Sequence, residues 1–144
     1  AGDMFNAVKA VSNQQDIIVK AAAVADYTPE SYVDSKIKKK DGDLSIALKR
    51  TKDILKYLGE NKKEGQFLCG FSMETDNMLK NSKAKLSKKN ADMIVANNLK
   101  DAGSGFKTDT NAVTLITKNG HKLLELKSKA DVAKEIFDEI LSLI

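Results

Sequence analysis

Tryptophan is absent from this sequence of 144 residues, and cysteine, histidine, proline and arginine occur once each, as Cys69, His121, Pro29 and Arg50. Each scarcity excludes a class of function. A single cysteine cannot close a disulfide within the chain. One cysteine and one histidine cannot assemble a zinc site from the usual thiolate and imidazole ligands. A nucleic-acid reader usually carries arginine forks and surface aromatics, and here aromatics make up 6% of residues. No apolar run reaches the roughly 18 residues of a membrane helix, and the opening residues do not form a signal peptide. These absences predict a cytoplasmic protein with no membrane partner and no nucleic-acid partner.

What is present suits one globular domain over residues 1–144. The hydrophobic content of 42% is enough for a core. Cys69 sits inside the apolar run of residues 67–71, which marks a buried structural thiol rather than a nucleophile. The net charge is +4, from 24 basic and 20 acidic residues, and almost every cation is lysine. Such a balance suits small phosphates better than a polyanion; the bland alternative is a solvated lysine surface.

The chain reads as alternating helices and strands. Met4, Phe5, Ala7, Val8 and Val11 recur at helical spacing over residues 3–11. A helix in this position predicts that a strand and its loop precede it in the native protein. Residues 17–22 read as a strand covered on both faces, because Ile17, Ile18 and Val19 lead in without alternation. Leu44, Ile46 and Leu48 alternate with polar neighbours as a half-buried strand. Thr51 is positioned to cap a helix bearing Ile54, Leu55 and Leu58, with Gly59 near its end. Residues 66–71 form the next strand, where Gly70 implies a close approach. A second helix spans residues 75–89, with Met78, Leu79 and Leu86 inward and Lys85 and Lys89 one turn apart. A strand over residues 92–96 follows. Asn119-Gly120 then signals a hairpin, with Val113, Leu115 and Thr117 on its first arm. Ser128 and Asp131 open a last helix whose apolar face is Val132, Ile136, Phe137, Ile140 and Leu143. His121, just past the hairpin turn, is exposed by default. The pattern predicts a three-layer α/β fold with a mostly parallel sheet, ending in a β-hairpin and a helix. Neither a G-x-G-x-x-G turn nor a P-loop is present.

The stretch over residues 16–40 is the most suggestive. Its strand passes through Ala21, Ala22 and Ala23, small enough for a ligand to reach the backbone at the carboxyl end of a strand. Asp26 follows, and then Lys36, Lys38, Lys39 and Lys40 cluster within five positions. Read alone, Asp26 is a strand-end turn residue or a ligand acceptor, and the lysines are a solvated run or a phosphate site.

The ordered series of segments settles on a family. Ala21-Ala22-Ala23-Val24-Ala25-Asp26-Tyr27, Lys36-Ile37-Lys38-Lys39, Asp53-Ile54-Leu55, Gly70-Phe71 with Glu74-Thr75, Lys83-Ala84-Lys85-Leu86 with Lys89-Asn90-Ala91-Asp92, Ala96-Asn97, and Asp109 with Asn111 stand in one order. That order resembles bacterial phosphopantothenoylcysteine synthetase, the synthetase half of the bifunctional coenzyme A biosynthesis protein. The resemblance covers nearly the whole chain. It implies a Rossmann-like fold and ligation of 4′-phosphopantothenate to cysteine through an acyl-cytidylate made from CTP, with Mg2+ accompanying the triphosphate. It also implies a homodimer and fusion to a flavin-dependent decarboxylase domain.

Carried over by residue, the resemblance makes Lys36 the catalytic lysine of a flap and one of the nucleotide-binding residues. Asp26 becomes an acid contacting the nucleotide, and Phe71 a ring beside it. Lys85 and Lys89 become two grips on the phosphates. Lys52, Asp53, Ile54 and Leu55 match a nucleotide-contacting Pro-Asp-Ile-Val, with Lys52 in place of the proline. Ala22 and Ala23 complete the nucleotide set. Met73 and Asn98 depart from the family pattern and carry no role. The chain resembles the carboxy-terminal part of the synthetase domain; the amino-terminal part of the family carries a Ser- and Gly-rich phosphate loop and an asparagine that stabilises the acyl-cytidylate. This polypeptide by itself is therefore expected to turn over poorly. A non-catalytic nucleotide-binding α/β module is the alternative.

Overall fold

The computed structural model describes residues 1–38, 42–74, 77–98 and 109–144. The first helix, α1 (Gly2–Val11), carries Asp3 in its first turn and Lys9 in its last, each at the end of the helix dipole that favours its charge. A 3-10 turn, Ser12–Gln14, leads to β1 (Ile17–Lys20). Two short strands follow, β2 (Tyr27–Pro29) and β3 (Leu48–Arg50). Then come α2 (Ile54–Glu60), β4 (Phe67–Glu74), α3 (Met78–Lys88) and β5 (Met93–Asn98). The chain closes with β6 (Thr110–Thr117), β7 (Gly120–Ser128) and α4 (Lys129–Leu143).

Five strands form one sheet in the order β1-β4-β5-β6-β7, while β2 and β3 pair as a separate antiparallel ribbon. The β1/β4 and β4/β5 ladders are parallel, and the β5/β6 and β6/β7 ladders antiparallel. The sheet is thus mixed, which corrects the mostly parallel expectation. The cause is the Asn119-Gly120 hairpin. Its first arm, β6, does not stand apart; it takes up the open backbone donors and acceptors of β5.

Side-chain alternation divides the core between the two faces of this sheet. On one face Phe67, Cys69, Met93, Val95, Val113, Leu115 and Leu124 meet Val132, Ile136 and Ile140 of α4. On the other, Leu68 and Ile94 meet Phe5 of α1, Ile54, Leu55 and Leu58 of α2, and Leu86 of α3. Fully burying each such large apolar side chain contributes about 1.5–3 kcal/mol. Asp92 joins the two central strands: its carboxylate accepts from the Leu68 amide at 2.8 Å and pairs with Lys62 at 2.7 Å.

Several local expectations change. β1 stops at Lys20, and Ala21 and Ala22 lie beyond it, because the matching ladder to β4 ends at Gly70. Asp53, not Thr51, caps α2: its side chain accepts from the Lys56 amide at 2.9 Å. Thr51 instead donates from its hydroxyl to the Ala25 carbonyl at 2.6 Å. Residues 44–48 are not a half-buried strand. Only Leu48 enters β3, and Leu44, Ile46 and Leu48 are 71%, 62% and 57% exposed, since none of the described residues covers them. In α4, Phe137 and Leu143 point outward, off the Val132–Ile136–Ile140 stripe that meets the sheet. The expected opening of α3 at Thr75 falls outside the described residues, as do Lys39 and Lys40. His121 is exposed and Ser128 caps α4, both as expected.

Two glycines set how closely the layers pack. A Cβ on Gly70 would meet Leu55 Cδ2 at 2.6 Å, and one on Gly59 would meet the Lys89 carbonyl oxygen at 1.7 Å. The second obstacle is backbone and cannot swing aside. Gly59→Ala is therefore expected to lower stability by at least about 2 kcal/mol, read from the urea midpoint; an unchanged midpoint would contradict this packing. Cys69 is fully buried, and burial followed by the nearby Asp92 charge pushes its thiol up to about 12. It should resist an aromatic disulfide reagent at pH 8 and react only on unfolding.

Candidate functional site

The carboxyl ends of β1, β4 and β5 share one edge of the sheet, as parallel strands must. A cavity of 720 Å³ opens there. Such an edge is where open α/β sheets take ligands. The chain leaving β1 supplies Asp26 and also Ala22 and Ala23, whose small side chains leave the backbone accessible. The entry to α2 supplies Lys52, Asp53, Ile54 and Leu55. Phe71 comes from β4, and Lys85 and Lys89 from the end of α3. Every nucleotide residue expected from the sequence lines this one cavity except Lys36. That residue is exposed, on the segment between β2 and β3, and is not part of the lining.

Hydrogen bonds and ion pairs hold the lining in place. The Thr51 amide donates to the Asp26 carbonyl at 2.9 Å, tying the exit of β1 to the entry of α2. The Lys89 ammonium pairs with Asp53 Oδ2, while Asp53 Oδ1 caps α2. Burial alone would raise the Asp53 carboxyl. The hydrogen bonds from Lys89 and the Lys56 amide, with the charges of Lys89 and Lys20, outweigh it and hold the group below the ordinary carboxylate value. Lys85 donates to the Phe71 carbonyl at 3.3 Å. Lys52 lies 4.6 Å from the centre of the Phe5 ring, a cation–π contact that directs it toward α1. Phe71 is half-buried; it packs against the sheet core and also lines the cavity.

Lys20, Asn97, Asn111 and Lys129 are among the lining residues to which sequence reasoning gave no site role. Lys20 donates to the Ala22 carbonyl at 2.7 Å. Its pKa is lowered, first by burial and then by Lys85, against the opposing charges of Asp53 and Asp26. A lysine closing an apolar strand was the available signal. Asn97 and Asn111 stood in the ordered series without a role, although amides in otherwise apolar strands are conspicuous.

Five lysines and two aspartates thus surround a cavity with one aromatic wall. That arrangement suits a polyanion joined to a flat ring. Among the described residues, no group of three His, Cys, Asp or Glu side chains is placed to hold a metal ion. No helix of the described residues is long and apolar enough to cross a membrane.

Comparison with known proteins agrees with this picture. Residues 1–144 match the DNA/pantothenate metabolism flavoprotein C-terminal domain. The coenzyme A biosynthesis bifunctional protein CoaBC of Bacillus subtilis (strain 168) is 51% identical over 144 residues, covering 99% of this chain and 35% of that protein. The protein of the same name from Haemophilus influenzae is 43% identical over 132 residues, 92% of this chain and 32% of that one. The crystal structure of the C-terminal domain of a CoaBC protein superposes with a TM-score of 0.79 at 39% identity, over 99% of this chain and 62% of that one. This chain spans about a third of the length of the first two relatives. With the whole of its length matched, the chain belongs to the DNA/pantothenate metabolism flavoprotein C-terminal domain family.

Proposed function

We propose that this chain is the CTP-binding part of a phosphopantothenate–cysteine ligase of coenzyme A biosynthesis, within a protein that also carries a flavin-dependent decarboxylase domain. The observation that carries the reading is the convergence of Asp26, Asp53, Phe71, Lys85 and Lys89 on one cavity at the carboxyl edge of the sheet. They come from four separate segments of sequence. The names of the relatives support the pathway.

In the proposed reaction the carboxylate of 4′-phosphopantothenate attacks the α-phosphorus of CTP and pyrophosphate leaves. The cysteine amine then attacks the acyl carbonyl, loses a proton, and CMP departs. Lys85 and Lys89 hold the phosphates and offset the charge that gathers on their oxygens, without reorganising during the reaction. The ion pair with Asp53 sets where the Lys89 ammonium stands before a ligand enters. Phe71 packs on the nucleotide, and Asp26 accepts from a hydroxyl of its ribose. Ala22 and Ala23 let the ligand lie on the backbone. Mg2+ arriving with the triphosphate would offset charge on the phosphate oxygens; among the described residues no group of three His, Cys, Asp or Glu side chains is placed to hold it.

Lys36 needs the segment between β2 and β3 to bring it over the cavity, where its ammonium neutralises the acyl phosphate as cysteine attacks. Its place outside the lining is the one observation that favours a non-catalytic nucleotide-binding module instead. The same segment carries exposed Val33, Ile37, Leu44 and Ile46, an apolar surface suited to a second copy of the chain in a homodimer.

Three measurements test this reading. Calorimetric titration of the full-length protein with CTP and Mg2+ should show affinity falling at least about tenfold in Lys85→Ala and in Lys89→Ala; undiminished binding in both would remove these lysines from the site. Lys36→Ala should lose turnover by about 100-fold or more while keeping CTP affinity within a few-fold. Full turnover in that variant would favour the binding module. Ile46→Asp should shift sedimentation from dimer to monomer, and a protein already monomeric would overturn the proposed interface.

A further inference from the structure

The proposed reaction leaves one feature of the cavity unused. Asn97 Oδ1 and Asn111 Oδ1 are buried, and neither has a hydrogen-bond partner. They are the two such side-chain atoms among the described residues, and both residues line the same cavity. A buried acceptor without a donor is costly, and native structures keep few of them.

Their placement is not accidental to the sheet. Asn97 follows Met93 and Val95 at two-residue spacing on β5, so it faces the α4 side with them. It pairs in register with Val113 of β6. Asn111 precedes Val113 by two residues, and the β6/β7 register shifts between them. Irregularities of this kind re-aim a side chain at the edge of a site. The neighbours on this side of the cavity are Phe71, Val132 and Lys129.

These neighbours restrict what the two oxygens can accept from. The Lys129 ammonium and the positive end of the α4 dipole disfavour a cation. The Phe71 ring favours a flat group. A neutral, planar group offering two N–H donors from one atom matches two unpaired acceptors that line one cavity. The exocyclic amine of a nucleobase has that chemistry.

We propose that Asn97 and Asn111 form the base-reading subsite, where their amide oxygens accept from the exocyclic amine of cytosine and so select CTP against UTP. The inference rests on the nucleotide-binding reading above. Uracil places a carbonyl oxygen where cytosine has its amine, so in the orientation the two amides hold here acceptor would face acceptor. Sites built to pair a donor reject analogues that lack it.

The test is calorimetric titration of the full-length protein with CTP, UTP and the CTP analogue whose exocyclic nitrogen carries two methyl groups, all with Mg2+. The unaltered protein should prefer CTP over both others by at least about tenfold. Asn97→Leu and Asn111→Leu, checked for unchanged melting, should each weaken CTP and bring the CTP-to-UTP ratio toward one. Asn97→Asp, which keeps an acceptor, should retain a preference for CTP. Leucine variants that keep the original ratio would overturn the proposal, as would equal binding of CTP and the dimethyl analogue by the unaltered protein. The analogue arm needs no variant to fold. Binding of CTP and UTP with equal affinity would overturn this subsite while leaving nucleotide binding intact, whereas no binding of any nucleotide would defeat the broader reading instead.

Discussion

The junction between α2 and the end of α3 is the constraint on which the site depends. Gly59 has no side chain, and only that lets α2 lie against the Lys89 carbonyl. The Asn90 amide nitrogen donates to the Gly59 carbonyl at 2.9 Å and locks the contact from the other side. Asn90 itself takes a positive φ of 48°, a backbone conformation that asparagine tolerates better than most residues. With the two helix ends fixed, the Lys89 side chain reaches Asp53 at the opposite end of α2. Asp53 then serves twice, as helix cap and as counterion. Moving α2 outward by even a methyl group would disturb both roles, because protein interiors are close-packed and transmit such strain.

The cavity is also electrostatically uneven. Four of its five lysines are held by carbonyls, a carboxylate and an aromatic ring: Lys20 on Ala22, Lys85 on Phe71, Lys89 on Asp53, Lys52 over Phe5. Cations held in place need less rearrangement when an anion enters than free ones. The cost is mutual repulsion, visible in the depressed pKa of Lys20, where burial and then Lys85 act against its charge. A site built this way has charge to give to a polyanion. The α4 side differs in kind, with apolar packing and two unpaired amide oxygens.

Much of this was legible in the chain. Regular periodicity located α1, α2 and α4, and the β-branched approach through Ile17, Ile18 and Val19 located β1. The hairpin at Asn119-Gly120 and the Ser128 cap also read correctly, because both depend on local backbone chemistry. Errors arose where a local pattern had a tertiary rival. Thr51 looked like a cap, yet its hydroxyl was claimed by Ala25. Leu44 and Ile46 alternate like a strand, but alternation supplies no partner strand, and none among the described residues covers them. Phe137 fits the apolar stripe by residue type but sits on the outer side of α4.

By itself, the sequence determined most of the helices and sheet strands, the Ser128 cap and the buried thiol, since these follow from local spacing and residue chemistry, while the set of nucleotide-site residues came from the resemblance to a family. Tertiary structure alone decided that the hairpin joins β5 and makes the sheet mixed. It alone decided that Lys20, Asn97, Asn111 and Lys129 enter the cavity, and that Lys36 stays out of its lining. The physical reason is that a strand edge, a close approach at glycine and an unpaired oxygen are relations between distant segments. Spacing along the chain encodes which face a side chain takes, but not what it meets there.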